Sequence, residues 1–264
     1  MKRELKDLAE DISSYISNLD EDTYIPPRSG KPQSVKIAAE KPASAAAPQP
    51  DAPAAGAPAG FKDMDKLSAA VNKCRKCGLG GSRLKAVFGV GDIHSKVVFV
   101  GEGPGFQEDH RGEPFVGRSG ALLDKILETV LGLMRSQVYI ANIVKCHPMK
   151  DPGNPEAHGN DRPPTPEEID ACRPYLDRQL ALIRPRCIVT LGSVATKVLL
   201  GVTEGISLVR GKMYDYPVDI LGPGQTIKVI PTYHPAALLR NPNLKRDTWE
   251  DMKMLKALLE KNNS

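Results

Sequence analysis

The chain has 264 residues, 23 glycines, 23 prolines, few aromatics (5%) and a net charge of +4. That length suits one large domain or two small ones, and no apolar run approaches the ~20 residues needed to span a bilayer. The first twenty residues, MKRELKDLAEDISSYISNLD, mix acids among their apolar positions and lack the continuous apolar core of a secretory signal. A cytoplasmic, reducing compartment and no membrane association are therefore expected. In such a compartment five cysteines point to metal or redox chemistry rather than to disulfides.

The charge is unevenly placed. Residues 1–60 carry 9 acidic and 7 basic side chains, and the remainder 23 and 29, so the later part is net +6. A basic body behind an acidic arm suits a polyanionic partner, although +6 is also ordinary for a domain of this size.

Leu5, Leu8, Ile12, Ile16 and Leu19 recur at spacings of three and four, one apolar stripe of a helix over residues 1–19. Residues 20–60 include KPASAAAPQPDAPAAGAPAG. Such a stretch has too few large apolar side chains to offset its ordering entropy, so a disordered linker is expected. From residue 61 the pattern is that of a folded domain. KVVFV (96–100), VYIANIV (138–144), CIVTL (187–191) and IKVIP (227–231) are short apolar runs, the mark of strands buried on both faces. Between and after them lie helical patterns. SGALLDKILETVLGL begins at Ser119, a candidate N-cap. TPEEIDACRPYLDRQLALI begins with a capping box, Thr165 with Glu168, and Pro166 at the first helical position. SVATKVLLG stops at Gly201, and DTWEDMKMLKALLEK closes the pattern. Strands alternating with helices predict a three-layer α/β/α domain around a mainly parallel four-stranded sheet. Ligands of such sheets bind at the C-terminal ends of the strands.

The residues at those ends are rich in chemistry. GEGPGFQEDHRGEPFVG (101–117) follows the first strand and carries Glu102, Gly103, Glu108 and Phe115. Its glycine spacing is not that of a dinucleotide fingerprint, and there is no phosphate-binding G-x-x-x-x-G-K loop. Taken alone, such a turn is more often structural. The second strand delivers Asn142, whose amide matches a base edge or simply ties down a loop. The third leads through Ser193 into a helix N-terminus that suits a phosphate. The fourth is followed by His234, then Leu238 and Arg240, an apolar wedge beside a phosphate contact or a stretch of core. Cys187 begins a strand and reads as a small apolar residue. Cys74, Cys77, Cys146 and Cys172 remain as four candidate ligands. Thiolates in that number suit zinc or an iron–sulfur cluster, and the spacing alone does not decide between them.

In combination, CRKCGL, VGEGPGFQEDHRGEPFVGRSGALL, VYIANIVKC, EIDACRPYLDRQLALIRPRCIVTLG and YHPAALLR resemble the iron–sulfur uracil-DNA glycosylases, the fourth family of their superfamily. The resemblance runs from about Leu67 to Leu259. It implies a [4Fe-4S] cluster on Cys74, Cys77, Cys146 and Cys172, with a structural role. It implies uracil-containing DNA, single- or double-stranded, as partner, and hydrolysis of the N-glycosidic bond to leave an abasic site in base excision repair. On matching positions, Glu102 would orient the attacking water and His234 would donate to uracil O2. Asn142 would read the Watson–Crick edge and Phe115 would stack, with Gly103 beside the base. Glu108 would exclude thymine near C5. Leu238 would enter the vacated stack, with Ser193 and Arg240 near the DNA backbone. No lysine stands at a matched catalytic position, so a monofunctional, monomeric enzyme is expected. Two features depart from the resemblance. The segment HPMKDPGNPEAHGNDRPP (147–164) is longer than expected and reads as a surface loop. The N-terminal arm lies outside the resemblance and would recruit a repair or replication partner. The competing readings are a non-catalytic nucleic-acid-binding module, a glycosylase for another deaminated base, and an electron-transfer protein. Uracil release with thymine untouched separates the first two from the expected activity. A cluster that cannot be cycled at physiological potentials excludes the third.

Overall fold

A computed structural model describes residues 63–217 and 226–261. The expected helical arm over 1–19 and linker over 20–60 lie outside the described residues. Among the described residues six strands form one sheet in the order β1-β3-β2-β4-β6-β5: β1 Val90–Gly91, β2 Val97–Gly101, β3 Tyr139–Asn142, β4 Cys187–Leu191, β5 Tyr214–Pro217 and β6 Thr226–Thr232. The four expected strands are the parallel centre, β3-β2-β4-β6. The expectation of four is corrected by antiparallel edges, β1 on β3 and β5 on β6. Sequence pattern could not reveal them. A two-residue Val-Gly strand has no periodicity, and Tyr-Asp-Tyr-Pro is too short to stand apart from a turn.

The central strands are buried along their whole length in β2, β3 and β4 because helices cover both faces. Successive residues point to opposite sides. Val98, Val100, Ile188 and Val229 meet α1 (Met64–Asn72), α5 (Pro166–Ile183) and α6 (Ser193–Leu200) through Leu67, Val71, Leu176, Leu180 and Leu199. Val97, Phe99, Val189 and Ile230 face the other layer. There α4 (Arg118–Ile126), the π-helical turn Leu127–Leu131 that continues it, and α9 (Lys245–Glu260) supply Leu123, Leu127, Met252 and Leu255. The remaining helices are short: α2 Leu79–Ser82, α3 Phe106–Arg111, α7 Ile206–Val209 and α8 Pro235–Arg240. Cys187 is fully buried in this core, as an apolar residue would be.

The capping box of α5 forms as expected. Glu168 N–H donates to Thr165 Oγ1 (3.3 Å), and Thr165 N–H donates to Glu168 Oε2 (2.8 Å). Gly201 caps α6 in the left-handed region (φ 66°). Ser119 does not cap α4; Gly117 does, and the helix starts one residue before Ser119. The reason is local. Phe115 sits at φ 53°, and the chain turns so sharply after it that a Cβ on Gly120 would overlap the Phe115 carbonyl. In an unconstrained helix Gly→Ala stabilises by about 1 kcal/mol. Here Gly120→Ala is expected to destabilise by about 1–3 kcal/mol through overpacking, read as a lowered denaturation midpoint. A raised midpoint would show that the close approach is not required.

Candidate active site in the strand-end cleft

The C-terminal ends of β3, β2, β4 and β6 open into a cleft of about 650 Å³. Chain order reverses at β2, since β3 is laid on one side of it and β4 on the other. This is the switch point at which open α/β sheets hold ligands. Pairing continues past the strands, with Ile143 N–H on Gly101 O (2.9 Å) and Val144 N–H on Glu102 O (3.2 Å). The ends of β2 and β3 are thereby locked side by side. Glu102, Gly103, Glu108, Phe115, Asn142, Ser193, His234 and Arg240 all line the cleft.

Asn142 forms its floor. It is 2% exposed, and its Oδ1 has no hydrogen-bond partner among the described residues. A buried acceptor left unpaired is costly, so this oxygen is a place for a ligand's donor. Its backbone is held from behind, where the buried Lys145 ammonium donates to Asn142 O at 2.9 Å. Burial lowers the Lys145 pKa to about 8. A Cβ on Gly101 would overlap Asn142 Oδ1 and lie 2.7 Å from Phe115 Cζ. Only glycine at 101 leaves room for both.

Phe115 presents its ring to the cleft, with its centroid 5.4 Å from that of His234. The left-handed backbone that aims it is held by Glu108. Oε1 accepts from Val116 N–H (2.9 Å) and Gly117 N–H (3.2 Å), and Oε2 accepts from Gly105 N–H (3.2 Å). The carboxylate expected to crowd a base is thus engaged in bracing the loop. Arg135 braces the same turn by donating to Pro114 O and, at 3.0 Å, to Asp124.

His234 caps α8, and its Nδ1 accepts from Ala236 N–H at 3.1 Å. That bond requires an unprotonated Nδ1, so the neutral ring carries its proton on Nε2. Burial, aided by the nearby Arg240 charge, lowers its pKa to about 4. The ring is therefore a neutral N–H donor at pH 7. Close by, Gly192 adopts φ 92°, and a Cβ there would lie 3.0 Å from His234 Cβ. Glu102 is half-buried, and burial raises its carboxyl pKa.

One expected member is not in the cleft. Leu238 is 1% exposed and turned into the protein, while Ala237 and Arg240 of the same helix face the cleft. In this structure the buried Leu238 has almost no surface to offer a base stack, and its helix α8 lies against α4. Conversely, the segment 147–164 is more than a surface loop. Its Pro148, His158, Gly159, Asp161 and Arg162 form a wall of the cleft. No periodicity marks them, since a loop places side chains through long-range bonds rather than a repeat.

Cys74, Cys77, Cys146 and Cys172 line a second, small pocket together with Lys145 and Tyr175. Arg83 donates to Cys146 Sγ at 2.9 Å, and Lys145 N–H to Cys172 Sγ at 3.2 Å. As a free thiol Cys172 is pushed up to about 12 by burial.

The uracil DNA glycosylase superfamily profile matches residues 88–253. The type-4 uracil-DNA glycosylase of Sulfurisphaera tokodaii is 43% identical over 199 residues, 74% of this chain and 84% of that protein. Those of Archaeoglobus fulgidus (40% over 205 residues, 76% and 96%) and Thermotoga maritima (43% over 201, 75% and 95%) are similar. The chain belongs to the uracil DNA glycosylase superfamily.

In this superfamily member the profile spans the whole cleft lining but begins after Cys74 and Cys77. Among the described residues no helix is long and apolar enough to cross a membrane. Two histidines, His234 in the cleft and His147 behind its wall residue Asp161, are driven in opposite directions. His147 is buried; burial lowers its pKa, but Asp161 (2.6 Å from Nε2) and Asp109 (3.9 Å from Nδ1) outweigh this and raise it to about 9. In a histidine-selective NMR titration of the glycosylase, His234 is expected to stay neutral, with Nε2–H, down to about pH 4. His147 is expected to stay charged up to about pH 9. Because His234 takes its proton more readily when unfolded, stability falls as pH drops from about 6.5 toward 4. A His234→Gln variant should lose that part of the acid dependence.

Proposed function

We propose that this superfamily member is a monofunctional uracil-DNA glycosylase of base excision repair, which hydrolyses the N-glycosidic bond of uracil in DNA and leaves an abasic site. The observation that carries the reading is the unpaired, buried Asn142 Oδ1 at the cleft floor. It calls for a donor, and uracil N3–H supplies one where cytosine N3 offers only an acceptor. A base stacked in a duplex cannot reach this floor, so it must be flipped, at a cost of a few kcal/mol. Phe115 supplies the stacking face that replaces the lost neighbour, and Gly103 lies at the base's margin.

Bond cleavage places positive charge on the sugar and negative charge on the uracil. The neutral His234 Nε2–H is pre-aimed as a donor to the oxygen that gathers that negative charge, O2. A neutral donor keeps its proton through the step, so the leaving uracil departs as an anion. Glu102 as carboxylate orients the attacking water and offsets the positive sugar. Ser193, at the start of α6, and Arg240 stand where a phosphate would be held. Glu108 acts through Phe115 by bracing the turn. Thymine carries the same N3–H, so its exclusion must come from the space at C5.

The four cysteines fit an iron–sulfur cluster. All four line one pocket, which already holds two N–H donors directed at sulfur. We assign Cys74, Cys77, Cys146 and Cys172 as ligands of a [4Fe-4S] cluster. When bound, it supplies a covalent tie between the segment after α1, the end of β3 and α5. Cys172→Ser is expected to lose iron and lower Tm. Unchanged iron content would remove Cys172 from the set. We also place the enzyme in the reducing cytoplasm, acting as a monomer, with residues 61–264 as the catalytic domain and residues 1–60 as a tethered recruiting arm.

Base release from a uracil oligonucleotide, with a thymine control and strand cleavage only after alkali, tests the reading. His234→Ala should slow it about a hundredfold. Glu102→Gln should slow it a hundredfold or more. The wild-type kcat/KM should fall on the acid side through a Glu102 pKa above the usual glutamate value. The same shift implies stability that is lost as pH rises through that value. At neutral pH the slow Glu102→Gln variant is therefore expected to be more thermally stable than the wild type. A normal rate in either variant would remove that residue's role.

A further inference from the structure

Three rings stand together at one wall of the cleft. Phe106 lies 4.2 Å from His110 and 4.4 Å from His158, centroid to centroid, with ring planes tilted by 38° and 36°. Phe106 and His158 both line the cleft that holds Asn142 and His234. His158 is the exposed end of the stack, while Phe106 and His110 are partly buried.

The platform is braced from two sides. His110 Nδ1 donates to Phe106 O (2.8 Å), and its Nε2 meets Glu156 Oε2 at 3.0 Å, tying α3 to the loop that carries His158. The loop is closed by the buried Asn160. Its Nδ2 donates to Asp151 O (2.8 Å) and Asn154 O (3.0 Å), and its Oδ1 accepts from Asp151 N–H (2.8 Å). Lys150 Nζ donates to Gly159 O (3.0 Å), and Arg162 Nε to Met149 O (2.8 Å). Arg162 also grips Glu168 through two bonds, at 2.8 and 2.6 Å. These bonds hold a long polar segment in one shape and place an aromatic ring, with no core to fill, at a cleft wall.

We propose that His158, stacked on Phe106, is a platform for an unpaired base next to the extruded uracil, and so favours single-stranded DNA. The inference rests on the uracil-release reading and adds a second base site to it. Stacking on an aromatic ring tolerates any base, because every base has a π face, and the exposed Arg118 and Arg240 of the cleft suit the intervening phosphates. A base held in a duplex keeps both its neighbours and gains less from the platform.

The test uses the full chain with its iron content matched between variants. Substrates are single-stranded oligonucleotides with one uracil, either intact or with the 5′ or 3′ neighbouring base replaced by an abasic tetrahydrofuran. For the wild type, removal of the neighbour on one side should raise KM about tenfold, within the range of one base–aromatic stack. His158→Ala should raise KM about tenfold on the intact strand, with kcat changed less than twofold. It should add nothing on the strand already lacking that neighbour. His158→Trp should restore the wild-type KM. If His158→Ala leaves KM unchanged on the intact strand, or lowers kcat equally on every substrate, the platform is wrong while the glycosylase reading stands. If the wild type releases no uracil from any strand, the reading beneath it fails as well.

Discussion

The missing side chain at Gly101 is the constraint on which the cleft depends. Parallel pairing sets Gly101 beside Asn142, and the volume a Cβ would fill is shared by the Asn142 amide and the Phe115 ring. Two side chains from separate parts of the chain can therefore meet at one point. Phe115 reaches it through a left-handed backbone that a non-glycine residue adopts at some cost. That cost is met by three bonds to Glu108 and by the close passage of Gly120 beneath. Strain is concentrated where a ring must be aimed, as is usual of functional sites.

Electrostatics then divides similar groups into different roles. His234, desolvated by burial and near the charge of Arg240, stays neutral. His147, between Asp109 and Asp161, stays charged and serves as structural glue. Glu102 is half-buried, and burial raises its pKa, whereas Glu108 is engaged by backbone N–H groups. In each case the hydrogen-bond partners and degree of burial, not the residue type, decide the chemistry.

The two pockets are also joined through a short span of chain. Lys145 donates from its ammonium to the Asn142 carbonyl and from its backbone to Cys172 Sγ, and Cys146 follows it. The cleft floor and the thiol pocket are thus successive parts of one turn after β3. Order at the thiols is thereby tied to order at the floor.

Much of this was legible in the sequence. The buried strands, the capping box of α5 and the Gly201 stop follow from local rules that act over a few residues. Placing Glu102, Asn142, Ser193 and His234 at one edge follows from the parallel α/β pattern, since every central strand then ends on the same side. The edge strands, the buried Leu238, the bracing role of Glu108 and the cleft wall built by residues 147–164 were not legible. Each depends on pairing, packing or irregular hydrogen bonds that no local repeat encodes: β5 on β6, Leu238 on its burial, Glu108 on backbone N–H groups of its own loop, and the wall on the bonds of Asn160 and Arg162. The sequence by itself determined which chemical groups stand at the strand ends, because periodicity and strand direction are local properties. Only the tertiary structure decided which of them face the cleft and which are bound away, because that depends on long-range packing and hydrogen bonding.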